Sequence, residues 1–199
     1  MHRYHVRWSR DGTWENIVDR LRQAVRVGQG HDPEPSVGIV DARSVRAAPT
    51  VAAASKGYDG GKKISGRKCF GIVDTLGLLV SVAVVAASTS DNTGGLACFA
   101  DALAKSDRWG TVFCDAGFKK AFKTGVKAHK VTVEVVNKIH PQRFEVLPKR
   151  WIVERIWAWL MNNRRLQIDY ERDPIVTRGF VWAAHTRLLL RGLTEQVYD

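Results

Sequence analysis

A chain of 199 residues, 45% apolar and 26% charged, is long enough for one sizeable domain around a buried core. Its net charge of +11 and pI near 9.9 favour a polyanionic partner, nucleic acid before an anionic membrane surface. No apolar run spans a bilayer, no signal peptide opens the chain, and Cys69, Cys98 and Cys114 lack Cys-x-x-Cys spacing. These features argue against a membrane protein, a zinc site and a disulfide framework, and a cytoplasmic protein is expected.

In chain order, residues 1–30 read as a helical lead-in. Trp14, Ile17, Val18, Leu21 and Val25 follow a helical period, Asp11 or Thr13 is the cap, and Arg20, Arg22 and Arg26 take the remaining face. The His31–Pro35 turn ends it. Opening abruptly at Met1, the segment reads as the tail of a larger one, so residues 1–35 are set apart from a domain over 36–199. Val37–Val45 is a first strand, with Asp41 directly after Ile39 and Val40. The Ala-, Gly- and Lys-rich stretch from Ala47 to Ser65 is a flexible loop. From Arg43 to Lys68 its neighbourhood carries seven Lys or Arg, Lys62, Lys63, Arg67 and Lys68 among them, against Asp59 alone.

Arg67–Asp74 and Leu78–Ala87 are strands of a hairpin turning at Asp74-Thr75-Leu76-Gly77. Ser88–Lys105 is a helix with a polar cap and a stripe of Leu96, Phe99, Ala100 and Leu103. Thr111–Cys114 is a short strand with Asp115 at its exit. Lys119, Lys120, Lys123, Lys127 and Lys130 follow with no acid before Glu134, a clustering that suits a phosphate-binding surface. Val131–Val136 and Phe144–Leu147 are further strands, and a final helix runs from Val176 to Arg191, with His185 packed or at the surface. This order suits an α/β domain with a mixed sheet covered by helices.

Before that last helix lies the stretch that draws the rest together, LPKRWIVERIWAWLMNNRR, from Leu147 to Arg165. Trp151, Ile152, Ile156, Trp159 and Leu160 fall on one broad helical face, and Arg150 and Glu154, four apart, meet on its surface. A carboxylate among tryptophans costs more than an apolar residue unless it holds something cationic, the plainer reading being a surface salt bridge. Trp151, Trp157 and Trp159 either stack on unpaired bases or pack the helix onto the sheet, packing being expected for two of the three.

Asp41 and Asp115 stand at or beside strand exits among basic loops, and Glu154 stands on a helix that a mixed sheet can bring alongside. Three such acids repel one another unless a cation neutralises them, and Mg²⁺ or Mn²⁺ is the natural occupant. Asp74 competes with Asp41, but its Asp-Thr-Leu-Gly setting is turn chemistry.

VGIVDARSV, KGYDGGKKISGRKCFGIVDTLGLLVSVAVVAAS, VFCDAGF and LPKRWIVERIWAWLMNNRRLQIDYE resemble successive blocks of bacterial insertion-sequence transposases of the DDE class, family five. The resemblance covers nearly the whole chain. It implies a ribonuclease-H-like fold and an enzyme that cleaves DNA strands at element ends and joins them to target DNA with divalent metal. It makes Asp41, Asp115 and Glu154 the metal-binding catalytic acids and Arg150 the arginine of an Arg-x-x-x-Glu signature. Lys62, Lys63, Arg67, Lys68, Lys119, Lys120, Arg150, Arg164 and Arg165 are then expected on DNA. Location with the bacterial nucleoid and assembly as a homo-oligomer on DNA follow.

Met161 stands where the fuller signature has Lys or Arg, with Arg164 and Arg165 as substitutes one turn on. Ala116-Gly117-Phe118 replaces the family's frequent Gly-Gly-Tyr. Family members also carry an N-terminal helix-turn-helix region that reads element ends, of which residues 1–35 are read as a remnant. The alternative is a truncated, catalytically silent protein that grips DNA by charge alone.

Overall fold

Ile39, Val40 and Val45 commit Val37–Ala47 (β1) to the centre of a sheet, and the other strands assemble around it. The computed structural model describes residues 2–136 and 149–195. The expected strand Phe144–Leu147 lies outside the described residues.

Around β1 stand β2 (Gly57–Asp59), β3 (Ile64–Val73), β4 (Leu79–Ala86), β5 (Thr111–Cys114), β6 (Thr132–Val135) and β7 (Ile168–Asp169). β1 pairs antiparallel with β3, Asp41 opposite Gly71, and β3 pairs antiparallel with β4 through the expected hairpin. On its other edge β1 runs parallel to β5 over Val37–Ile39, and β5 runs parallel to β6. Among the described residues that edge is next taken up at Arg46 and Ala47, by β7. Three antiparallel strands followed by two parallel ones, flanked by helices, form the ribonuclease-H-like mixed sheet that the resemblance implied.

The helices are α1 (His2–Arg10), α2 (Thr13–Gly28), α3 (Asp91–Leu103), α4 (Lys120–Lys127), α5 (Arg150–Leu160), α6 (Arg164–Gln167) and α7 (Pro174–Glu195). Strand residues alternate between the sheet's two faces. Ile39 and Val45 therefore enter a core with Val18 of α2, Ile156 and Trp157 of α5 and Trp182 of α7. Val40, Phe70 and Val112 enter a second core with Phe99 of α3 and Phe122 of α4. Asp41, two residues from Ile39, shares the α5 side.

Several elements depart from the expected pattern. The lead-in is two helices, because Gly12 at φ 78° breaks it and the Asp11 carboxylate accepts from the Thr13 N–H and hydroxyl. α2 belongs to the main core, and Arg26 reaches the fully buried Asp74 at 2.5 Å. The stretch expected as a flexible loop carries β2 and a 3-10 turn at Ala53–Ser55. α5 ends at Leu160 instead of running to Arg165, since Asn162 and Asn163 turn the chain and the Asn163 amide donates to the Leu160 carbonyl. His185 is buried and accepts the Leu79 N–H, and burial pushes its pKa down to about 3, so it is neutral.

Of the three tryptophans on α5, Trp157 is buried, Trp159 packs partly against the core and Trp151 is 44% exposed. Trp157 fixes the height of α5 over the sheet, and Gly71 makes room for it: a Cβ there would stand 2.9 Å from the indole and 3.3 Å from Leu79. Gly71→Ala is therefore expected to lower stability by about 1–3 kcal/mol. The urea midpoint measures this, and an unchanged midpoint would show that Trp157 yields without cost.

Candidate active site

Two of the expected acids are brought level by strand register. β1 and β5 pair in parallel as far as Ile39 opposite Phe113, so Asp41 and Asp115 each follow two residues later on the same face. α5 supplies the third. With Trp157 seated over Gly71, the cross-strand partner of Asp41, the exposed face of α5 carries Glu154 and Arg150 to the same place. Asp41, Asp115 and Glu154 line one cleft of about 500 Å³, with Arg43, Lys62, Lys68 and Arg150.

Burial pushes the Asp41 carboxyl up to about 6, and the negative charge of Asp115 adds to this. The Ala42 N–H, Arg150 and Lys62 pull the other way. The Arg150 guanidinium lies 3.2 Å from Glu154 and 3.8 Å from Asp115, bridging the two carboxylates. Asp115 also accepts the Gly117 N–H at 2.8 Å, which fixes its orientation at the strand exit.

The folded chain holds the Asp41 proton up to about pH 6, whereas the ordinary value is 3.8. Between these values the folded state binds more protons than the unfolded one, so metal-free stability falls as pH rises through this window. At about 1.4 kcal/mol per pH unit the loss is at most about 3 kcal/mol. Metal-free Asp41→Asn is expected to melt above the wild type at about pH 8 and level with it near pH 4. Equal melting temperatures at the higher pH would show that the Asp41 carboxyl is not desolvated by folding.

The donors are carboxylate oxygens, which suit a hard divalent cation. Among the described residues no three His, Cys, Asp or Glu side chains are gathered closely enough to hold a metal ion as they stand, and Glu154 is drawn to Arg150. The set fits such an ion through Asp41 and Asp115, neighbours whose like charge a cation would relieve, with Glu154 on the cleft wall.

Residues 32–189 match the family described as Transposase DDE domain. The chain belongs to that family. Asp41, Asp115 and Glu154 all fall within the matched residues. No curated protein matches the chain. Among solved structures, the catalytic core domain of BIV integrase is similar at 15% identity and a TM-score of 0.44, over 81% of this chain and 84% of that one. A chain of the simian T-cell lymphotropic virus intasome in complex with PP2A regulatory subunit B56 gamma is similar at 12% identity and a TM-score of 0.44, over 74% of this chain and 48% of that one.

The basic residues of this transposase-family domain divide into groups. Lys62 lines the cleft and donates to the Ala42 carbonyl at 3.1 Å, and Lys63 beside it is exposed. Lys119 and Lys120 are exposed at the start of α4, just beyond Asp115. Lys68 reaches the cleft but is largely buried, held by the Thr89 carbonyl and by Asp91 at 3.2 Å. Arg67, expected on DNA, is fully buried and paired with Asp169 at 2.8 Å, which removes it from any DNA surface. Arg164 and Arg165 are exposed outside the cleft, and Met161 packs against the core, so none of the three supplies a basic group beside Glu154.

Asp74 is spent on its turn, accepting the Leu76 and Leu78 N–H groups as well as Arg26. Asp59 and Asp91 also line the cleft, and sequence reasoning missed both. Asp91 opens α3 behind the Ser90 cap, and a Cβ on Gly117 would stand 2.9 Å from carboxylate oxygens of both Asp91 and Asp115. An acid in the first turn of a capped helix is so ordinary that nothing in the sequence singled it out.

Proposed function

We propose that this protein is a DNA transposase of the insertion-sequence type, family five, which cleaves DNA strands at element ends and transfers them to target DNA. The observation that carries this reading is the convergence of Asp41, Asp115 and Glu154 on one cleft within a chain of the transposase DDE family. Bound by these acids, Mg²⁺ or Mn²⁺ would activate a water or 3′-hydroxyl and offset charge on the leaving oxygen. Asp41 and Asp115 would hold the ion, with Glu154 joining them on leaving Arg150. Arg150, released from Glu154, is then placed to meet a phosphate, and Lys62, Lys63, Lys119 and Lys120 hold the backbone at the rim. Two ends must be held together for transposition, so a homo-oligomer assembles on DNA.

Supercoiled plasmid incubated with Mg²⁺, Mn²⁺ or EDTA tests the reading. Nicking that requires metal and is lost in Asp115→Asn is expected. The pairing of Glu154 with Arg150 and the packing of Met161 against the core favour a second reading, a catalytically silent DNA binder. DNA binding without nicking under any metal condition would select it. Among the described residues no helix is long and apolar enough to cross a membrane.

A further inference from the structure

Arg164 and Arg165 lie outside the cleft, but they are not scattered. Together with Arg187 they line a concavity of about 290 Å³ between α6 and α7. Arg187 and Asn163 also line a second one of about 360 Å³, where Arg191 of α7 faces Trp159 of α5. The two share a wall and form one groove, and among the described residues no acid lines either part. Glu171 engages Arg165 at 2.7 Å, so the charge that the groove offers is carried mainly by Arg164 and Arg187, both exposed.

The position of this groove relative to the cleft is set by α5. Trp159 follows Glu154 by five residues, which places it roughly 140° around the helix. The cleft and the arginine groove thus flank the outer face of α5, where Trp151 and Trp159 hold Arg155 between them at 4.7 and 4.9 Å. A helix with its side chains is about 10–12 Å across, close to the roughly 12 Å width of a B-DNA major groove. A duplex lying over α5 therefore sets one backbone in the cleft and the other along the arginines.

We propose that this groove is a second DNA-backbone site, holding the uncleaved strand of the duplex whose scissile strand lies in the acidic cleft. The assignment rests on the transposase reading. Its test uses binding alone, in EDTA, so it can fail or succeed whether or not nicking is found.

The experiment is fluorescence anisotropy of Arg164→Gln/Arg187→Gln beside wild type. The probes are a duplex of roughly 30 base pairs, about three helical turns, and either of its strands alone. The double variant is expected to bind the duplex about tenfold more weakly, with the slope of log affinity against log salt shallower by about two, one per lost phosphate contact. Binding of the single strand stays within about twofold. Arg164→Lys/Arg187→Lys, which keeps the charge, restores the slope, and matching melting curves show that each variant is folded. Unchanged duplex affinity overturns the proposal, and so does an equal loss on duplex and single strand.

Discussion

Glu154→Gln is expected to abolish metal-dependent nicking while leaving DNA affinity equal or higher. Glu154 is exposed and pairs with Arg150 on the same helix, so the amide is tolerated without loss of fold. What disappears is an anionic oxygen on the cleft wall facing Asp41 and Asp115. Outer-shell partners of a metal cost about 10–100-fold when removed, and a direct ligand should exceed that. DNA affinity moves the other way, because one negative charge leaves a surface that meets phosphates. Nicking at the wild-type rate by a folded Glu154→Gln protein would take Glu154 out of the site. Loss of nicking together with loss of DNA binding would point instead to damage of the α5 surface.

Asp169→Ala is expected to be the most destabilising single change away from the cleft. Arg67 is fully buried, and its guanidinium donates to Asp169, to the Thr177 hydroxyl and to the carbonyls of Ser55 and Arg172. Asp169 in turn accepts from the Thr177 hydroxyl and the Glu171 N–H. One ion pair thus ties β3, β7, the start of α7 and the turn before β2 into a single buried knot. Removing the carboxylate strands a buried cation, at a cost of about 3–5 kcal/mol. For a chain of this length that corresponds to a melting temperature lower by on the order of 10 °C. A variant melting within about a degree of wild type would show that Arg67 finds water or another partner.

Arg67 also marks where charge counting stops being informative. In sequence it stands beside Lys68 in a basic neighbourhood, and nothing local separates it from Lys62 or Lys63. Its partner Asp169 lies 102 residues away, a pairing that only the folded topology creates. Short apolar runs behaved differently. Thr111–Cys114 is the strand expected, with Asp115 at its exit, because Val112 and Cys114 on one face and Phe113 on the other leave little alternative. Glu154 was legible through its setting, a carboxylate four residues after an arginine on a tryptophan-rich helix. The end of α5 was not, because a cap set by Asn162 and Asn163 interrupts a stretch whose apolar period gives no warning.

The cleft owes its existence to how short β5 is. β1 runs on for several residues past Ile39 with β3 beside it throughout, yet among the described residues its other edge loses β5 after Ile39 and regains a neighbour only at Arg46. The opening is a seam in the middle of the sheet. β5 stops there because the Asp115 carboxylate and carbonyl take the N–H groups of Gly117 and Phe118, turning the chain away. One aspartate thereby ends the strand, holds the seam open and lines the space it creates.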